Sequence, residues 1–345
     1  MSIWMNLKGK EDEFMGERVK KEHYVPRTYL RSFATNNKFF VFDKEKAEVR
    51  PGSIEDYACE RYFYDVDFDS IKQDQKENSS LYEYPEEVDE ALKDIDEQHI
   101  EHFYGNIVET TLFKPIKTII TQFVMCNPAR LGQLPVLSER EMDDLSLYIS
   151  IQILRTKEFR EAMSEIYTKL PMHLMKKMAR TEKEKRLYDS FELEFKNENY
   201  KKLQHATYLV NPDTAADLAE PIRDKIWIIG YCRGGKQFYT SDNPVVKNAH
   251  GERSGLSSRG IEIAFPITKH LILIMRDKEF FSKDRDLHNR FLEVDNSFAE
   301  YVNSLQVIHS YRYVFSNSSD FALAEKMIND YPELRKINRN RFQFG

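Results

Sequence analysis

The feature that most constrains the fold is a change of pattern along the chain, from aromatic strands to helices and back. Near the N-terminus, the stretch FFVFDKEKAEVRP predicts two strands around a charged turn. From about residue 85 to 205, apolar residues recur mainly at helical spacing. Short runs rich in β-branched and aromatic residues follow: KIWIIGY, KQFYTS, IEIAFPIT and HLILIM. We therefore predict an α+β fold, with a central helical layer packed on a mixed or antiparallel sheet built from N- and C-terminal strands.

The length of the chain and its charged ends predict one large domain. With 345 residues it can bury a substantial core. Residues 1–20 are predicted to be a flexible leader. Residues 21–331 would form the single domain, with the helical insertion at about 85–205. Residues 332–345 would form a basic C-terminal tail.

Two helix predictions extend over long stretches. The clearest covers LSEREMDDLSLYISIQILRTKEFREAMSEIY, where Ser138 and Glu141 have the spacing of a capping box. A second covers DLHNRFLEVDNSFAEYVNSLQ near the C-terminal end. Both segments are predicted as unbroken helices.

Composition excludes some classes of protein. The chain carries 51 basic and 57 acidic residues, a balance that does not indicate a nucleic-acid coat protein but leaves a local basic groove open. Its three cysteines, Cys59, Cys126 and Cys232, lie far apart and argue against a disulfide framework or a cysteine zinc site. The longest apolar runs have strand length, so neither a signal peptide nor a membrane span is expected. We expect a cytoplasmic protein without a membrane partner.

The first candidate for chemistry is a histidine ahead of a short helix. The segment EHYVPRTYLRSF places His23 three residues before Pro26, which suits a first helical turn. A helix N-terminus favours anions, and a neutral imidazole there can act as a general base or metal ligand. A half-buried histidine bonded to a backbone carbonyl would explain the same pattern.

Two polar residues interrupt an apolar helix face in the middle of the chain. The positions on this face step by three or four residues: Leu145, Tyr148, Gln152, Arg155 and Phe159. Because an unpaired buried charge is costly, the amide and guanidinium must join an internal network or bind a ligand. Arginine offers a planar fork for phosphate or carboxylate. Both interpretations stay open.

The third candidate is a turn at the end of a strand. In YTSDNPVV, Asp242 and Asn243 precede Pro244, where the chain is held extended. Polar residues at strand ends often form sites. Asp242 would be the metal ligand or general base of a catalytic site, whereas an Asx turn would explain the motif without any function.

These segments resemble a known family. HYVPRTYLRSF, YFYDVD, IQILRTKEFR, FYTSDNPVV and FPIT are similar to the signature segments of a large bacterial family defined only as a domain of unknown function. The resemblance covers about residues 21–305 and departs at Arg27 and Thr28, where the family has glutamine and an aromatic residue. It supplies no activity. It implies that the polar residues of the motifs belong to one site: His23, Gln152, Arg155 and Asp242.

The favoured function is hydrolysis of a phosphodiester or nucleotide, as in a nuclease-like intracellular effector. His23 and Asp242 would be the catalytic pair, with Asp242 holding a divalent metal such as Mg²⁺ or Mn²⁺ or orienting water. The substrate-binding residues would be Tyr24, Gln152, Arg155 and Asn243. Nucleic acid or a nucleotide would be the partner.

Two alternatives use the same residues. A non-catalytic module could sense a ligand or bind a protein through this polar pocket, and a homo-oligomer or protein partner stays open. A structural polar core would need no ligand at all.

Overall fold

The computed structural model describes residues 20–78, 104–127, 130–191, 193–195 and 197–342. The strands are β1 (Lys21–His23), β2 (Lys38–Asp43), β3 (Glu48–Ser53), β4 (Cys59–Arg61), β5 (Ile226–Tyr231), β6 (Thr240–Ser241), β7 (Val246–Ala249), β8 (Ile261–Thr268), β9 (Leu271–Arg276), β10 (Arg290–Glu293) and β11 (Tyr313–Ser316). The helices are α1 (Arg27–Leu30), α2 (Phe68–Asn78), a π-helix (Tyr104–Leu112), α3 (Lys114–Met125), α4 (Glu139–Leu154), α5 (Lys157–Met178), α6 (Glu182–Asp189), α7 (Glu198–Val210), α8 (Pro212–Arg223), α9 (Asn296–His309) and α10 (Ala322–Asp330). The predicted leader up to residue 19 and the start of the predicted helical insertion, 85–103, lie outside the described residues.

The four-stranded sheet joins strands from both ends of the chain, in the order β3-β2-β11-β6 with antiparallel neighbours. Side chains alternate between the two faces of a strand. Phe39 and Val41 of β2 therefore face the main core, while Phe42 faces a smaller core formed with α9 and α10. The prediction that N- and C-terminal strands pair in one sheet is confirmed.

A five-stranded sheet, in the order β10-β5-β9-β8-β7, is built entirely from residues 226–293. Strand β10 runs parallel to β5, and the other neighbours are antiparallel. Trp227 and Ile229 face the main core, whereas Ile228 faces a second core that includes α9. Burial on both faces explains the nearly continuous apolar sequence of β5 and β9. The described part of the chain thus forms separate sheets where the sequence predicted one.

The helical layer is centred on α4, which packs against α3, α8 and the π-helix. Leu145 and Ile149 of α4 are fully buried in the main core. Helices continue to Arg223, beyond the predicted end at 205, because residues 212–223 form α8. Within the described ranges, no helix has both the length and the apolar character needed to cross a membrane.

Each of the two segments predicted as one long helix is interrupted in the structure. The first helix ends at Leu154, and a new one begins at Lys157. Thr156 caps the new helix, because its side chain accepts a hydrogen bond from the backbone N–H of Phe159. The capping box at Ser138 and Glu141 is confirmed. The second prediction fails because residues 290–293 pair with β5, so α9 begins only at Asn296 behind the N-cap Asp295.

Part of the basic C-terminal tail lies against α5. Arg341 donates from Nε and Nη2 to the carboxylate of Glu158 at 3.0 and 3.1 Å. Arg339 donates to the same carboxylate and to the carbonyl oxygen of Ser310. The backbone N–H of Arg341 donates to Glu165. The two guanidinium groups therefore neutralise the carboxylate of Glu158.

Candidate functional site

The N-terminal segment is held by β1, which pairs antiparallel with β4 so that His23 lies opposite Cys59. The imidazole of His23 is 6% exposed, and its Nε2 lies 3.2 Å from the carbonyl oxygen of Ile54. Because a carbonyl only accepts, Nε2 carries the proton. Burial, aided by the charges of Arg27 and Arg155, lowers the pKa of His23 to about 4. His23 is therefore neutral at neutral pH, and its Nε2 proton is donated to the carbonyl oxygen of Ile54.

The polar residues of α4 bind the backbone of this same segment. Gln152 donates from Nε2 to the carbonyl oxygen of Tyr24 at 3.2 Å. Arg155, which is 1% exposed, donates from Nη2 to the carbonyl oxygen of His23 and from Nε to the hydroxyl of Tyr64. As the C-cap residue of α4, Arg155 lies where the helix ends and its side chain can turn toward β1. The structure thus brings together Tyr24 and three of the four residues that the resemblance implied to form one site, His23, Gln152 and Arg155.

Asp242 has a different set of partners. Its carboxylate accepts three backbone N–H groups, from Tyr311, Arg312 and Tyr313, each at 2.8 Å. The residue is fully buried. Burial raises the pKa of Asp242 to about 6, although the three donors and the ammonium of Lys44 favour its ionised form. In this position the carboxylate fastens the connection between α9 and β11 to β6.

Asn243 continues this structural network. Its Nδ2 donates to the carbonyl oxygen of His309 at 2.9 Å, and its backbone N–H donates to the hydroxyl of Ser241. Burial first, and then the charge of Asp242, raise the pKa of Tyr24 well above its ordinary value. The catalytic and substrate-binding roles predicted for these residues stay predictions, and the contacts made by His23, Asp242 and Asn243 are contacts within the fold.

Two residues that the sequence analysis did not propose as site residues complete the cluster. Glu109 projects from the π-helix, and its Oε2 accepts the hydroxyl of Thr28 at 2.8 Å. Its Oε1 lies 3.9 Å from Nη1 of Arg155. Tyr148 shares the buried face of α4 and is 1% exposed. A π-helix is rare and often marks a functional site, but no simple sequence signal predicts one.

Two buried polar atoms of this cluster have no hydrogen-bond partner among the described residues: the hydroxyl of Tyr148 and Oε1 of Gln152. Such atoms are uncommon in folded proteins, and leaving one unpaired costs about 1–3 kcal/mol. Burial, with the nearby charge of Glu109, raises the pKa of Tyr148 far above its ordinary value. Tyr148 is therefore a neutral hydroxyl with a proton to donate. We call Thr28, Glu109, Tyr148, Gln152 and Arg155 the α4 polar site.

The donor set of the α4 polar site does not fit a divalent metal. Magnesium is bound by one or two protein carboxylates together with water and substrate phosphates. Glu109, the one carboxylate of this site, already accepts the hydroxyl of Thr28 and lies beside the guanidinium of Arg155. The described residues bring no group of three histidine, cysteine, aspartate or glutamate side chains together as a metal site. These residues therefore do not have the chemistry of a divalent-metal site.

A second buried network, which the sequence analysis did not predict, lies beside this site. Arg160 of α5 donates from Nε to Nδ1 of His205 at 3.1 Å and from Nη2 to the carbonyl oxygen of Phe63. The guanidinium carbon also lies 3.6 Å from the centre of the Phe63 ring. Nε2 of His205 lies 2.7 Å from the carbonyl oxygen of Leu154, so His205 is protonated there and neutral. Burial and the charge of Arg160 hold the pKa of His205 well below its ordinary value.

Comparison with known proteins gives one result. No curated protein and no solved structure matches the chain. A family model does match, over residues 21–320, and its description is protein of unknown function (DUF4238). This range contains the N-terminal His-Tyr-Val-Pro segment, α4 and the Thr-Ser-Asp-Asn-Pro turn. The chain therefore belongs to the DUF4238 family of proteins of unknown function.

Proposed function

We propose that the chain is a ligand-sensing module that binds a nucleotide-class ligand at the α4 polar site. The observation that carries this proposal is the hydroxyl of Tyr148, which is buried without a hydrogen-bond partner among the described residues. Such a group does not stabilise the fold, since phenylalanine would fill the same space without the cost of desolvating a hydroxyl. A ligand atom that accepts a hydrogen bond from the hydroxyl would offset this cost.

The spacing along α4 indicates what kind of ligand fits. Tyr148 and Gln152 are four residues apart, so their side chains lie one turn apart on one helix face. Together they offer an O–H donor and an amide acceptor, and the edge of a nucleobase carries matching acceptor and donor groups side by side. Arg155, one turn further on, suits the negative charge of a nucleotide. The mixed set favours a nucleotide over a simple anion.

Glu109 marks the side from which a ligand would reach the site. Its side chain is 18% exposed, whereas the guanidinium of Arg155 behind it is buried. The hydrogen bond from Thr28 to Glu109 spans α1 and the π-helix at this edge. A ligand that passes this edge must displace that bond, and Glu109 can then accept an N–H of the ligand.

The variant Tyr148→Phe tests the proposal. Without ligand, this variant should be as stable as the wild type or more stable, because the hydroxyl has no described partner to lose. Its affinity for the bound nucleotide should fall about tenfold or more. Tyr331→Phe, at a tyrosine that is 57% exposed, is the matched control. The measurement is calorimetric titration of the full chain with nucleosides, nucleotides and cyclic dinucleotides.

Either of two results would contradict the proposal. One is a ligand-free Tyr148→Phe protein that is clearly destabilised, which would mean that the hydroxyl is paired inside the fold. The other is a wild-type protein that binds none of these compounds.

Phosphodiester hydrolysis is the second candidate, and the position of Glu109 favours it. A partly exposed carboxylate beside a buried guanidinium, with 3.9 Å between Oε1 and Nη1, suits a base that takes a proton from water while arginine neutralises the phosphate. Water oxygen would then bond to phosphorus and the ester P–O bond would break. The proton that Glu109 took would pass through solvent to the leaving alkoxide, which departs as an alcohol. In this scheme Glu109 replaces Asp242 as the carboxylate.

Assays of nucleotide and oligonucleotide hydrolysis, with Mg²⁺, with Mn²⁺ and without added metal, separate the two candidates. Turnover that Glu109→Gln abolishes while binding persists would favour the enzyme, and binding without turnover would favour the sensor. Both candidates suit a cytoplasmic protein, since the three cysteines Cys59, Cys126 and Cys232 are free.

A further inference from the structure

A separate cleft lies on the other side of the four-stranded sheet, between α9, α10 and the loop before β6. Its volume is about 430 Å³, within the range of small-molecule sites. The polar side chains that line it come from different elements: Lys236, Gln237, Glu300, Asn303, Ser316, Ser318, Asp320 and Lys326. None of these belongs to the α4 polar site.

The wall of the cleft is fixed by Asn303 of α9. Its Oδ1 accepts the backbone N–H of Tyr239 at 2.7 Å, and its Nδ2 donates to the carbonyl oxygen of Gln237 at 2.9 Å. These bonds hold the loop in place. The side-chain Oε1 of Gln237 is shielded from solvent, yet it has no hydrogen-bond partner among the described residues. Rotation of the Gln237 side chain would turn this acceptor into the cleft, where a ligand N–H group would satisfy it.

The opposite wall offers hydroxyl donors. Ser316 accepts the backbone N–H of Ser318, and Ser318 accepts that of Asp320, both at 3.2 Å. Each hydroxyl acts here as an acceptor, so its own proton stays available to a ligand. Lys326 adds an ammonium group, and it forms no ion pair with the described residues. This wall suits a carboxylate.

The charges that line the cleft balance. Lys236 and Lys326 are cationic, Glu300 and Asp320 are anionic, and Lys236 is paired with Glu300. A phosphate would be repelled by both carboxylates, and a simple amine would be repelled by both ammonium groups. A ligand with one charge of each sign avoids both penalties.

We propose that this cleft binds a small zwitterion with an ammonium and a carboxylate group, the chemistry of a free amino acid. The ammonium donates to Gln237 Oε1 and toward Asp320. The carboxylate accepts from the hydroxyls of Ser316 and Ser318 and pairs with Lys326. This site is independent of the α4 polar site and of the function proposed there.

The test is calorimetric titration of the full chain with each of the proteinogenic amino acids. The best ligand is then compared with its N-acetyl derivative and its C-terminal amide, each of which lacks one of the two charges. We expect each derivative to bind about tenfold more weakly or worse. Lys326→Ala should cause a similar loss, whereas Lys283→Ala, at an exposed lysine outside the cleft, should cause none.

Three results would overturn the proposal. Binding by none of the amino acids would exclude this ligand class. An N-acetyl derivative that binds as well as the parent would exclude recognition of the ammonium. Undiminished binding to Lys326→Ala would exclude the carboxylate pairing; because Lys326 is exposed, this variant should fold normally.

Discussion

Replacing Asp242 by asparagine distinguishes a structural role from a catalytic one. The carboxylate accepts one backbone N–H at Oδ1, from Tyr311, and two at Oδ2, from Arg312 and Tyr313. Asparagine keeps the shape but has one acceptor oxygen. If that oxygen takes the position of Oδ2, the NH₂ group of the asparagine faces the backbone N–H of Tyr311. The hydrogen bond to Tyr311 is then lost, because both groups are donors.

The expected cost follows from these contacts. A hydrogen bond to a charged group contributes about 1.5–3 kcal/mol, and the two remaining bonds become neutral and weaker. We expect Asp242→Asn to lower the free energy of unfolding by about 1–2 kcal/mol at pH 7.5, because the lost and weakened hydrogen bonds outweigh the gain from no longer burying an ionised carboxylate, a cost that raises the pKa of Asp242 to about 6. The amide protons of residues 311–313 should also exchange faster with solvent, because their acceptor is weakened.

Urea unfolding measures the first effect, and hydrogen exchange with mass spectrometry measures the second. Asp286→Asn, at an exposed carboxylate, is the control and should change stability by less than about 0.5 kcal/mol. The reasoning is refuted if Asp242→Asn unfolds at the wild-type urea concentration with the wild-type m-value. If that variant also lost turnover or ligand binding, Asp242 would be a catalytic or binding residue after all.

Two further predictions concern stability. His23 is neutral in the folded state with a pKa of about 4, so between pH 6.5 and 4 the unfolded chain binds a proton that the folded chain does not. Lowering the pH from 7.5 to 5 should therefore lower the free energy of unfolding by about 2 kcal/mol through His23, with a further loss through His205, whereas the raised pKa of Asp242 acts in the opposite direction. Denaturant unfolding of Asp242→Asn, which lacks the opposing group, at both pH values checks this, and a flat profile of that variant would contradict it. Thr156→Ala removes the N-cap of α5 and should cost about 1 kcal/mol. Thr156→Ser should keep most of that stability in thermal unfolding, and equal melting of the two variants would argue against the cap.

Local elements were predictable because their causes lie within a few residues. The hairpin of β2 and β3 follows from an aromatic-rich strand before a charged turn, and the capping box of α4 involves only Ser138 and Glu141. The burial of Gln152 and Arg155 also followed from their place on an apolar helix face. The segments of the family resemblance were likewise visible in the sequence, and the family is confirmed.

Elements that depend on distant partners were not predictable. Residues 290–293 look helical in sequence, yet they form β10 because β5 offers a free parallel edge about 60 positions earlier. The helix break after Leu154 has a similar origin. It lets Arg155 turn back to the carbonyl oxygen of His23, 132 residues away, while Thr156 caps the next helix.

By itself the sequence determined the class of fold, the family and which polar residues must be satisfied in the interior. The tertiary structure alone decided what satisfies them, since a hydrogen-bond partner is whatever group the fold brings within about 3 Å. For Asp242 those groups are backbone amides that lie 69 to 71 residues further along the chain. For Tyr148 no described residue fills that place. Residue types alone do not show which buried polar group has hydrogen-bond partners within the fold and which has none among the described residues, because both groups are buried and polar.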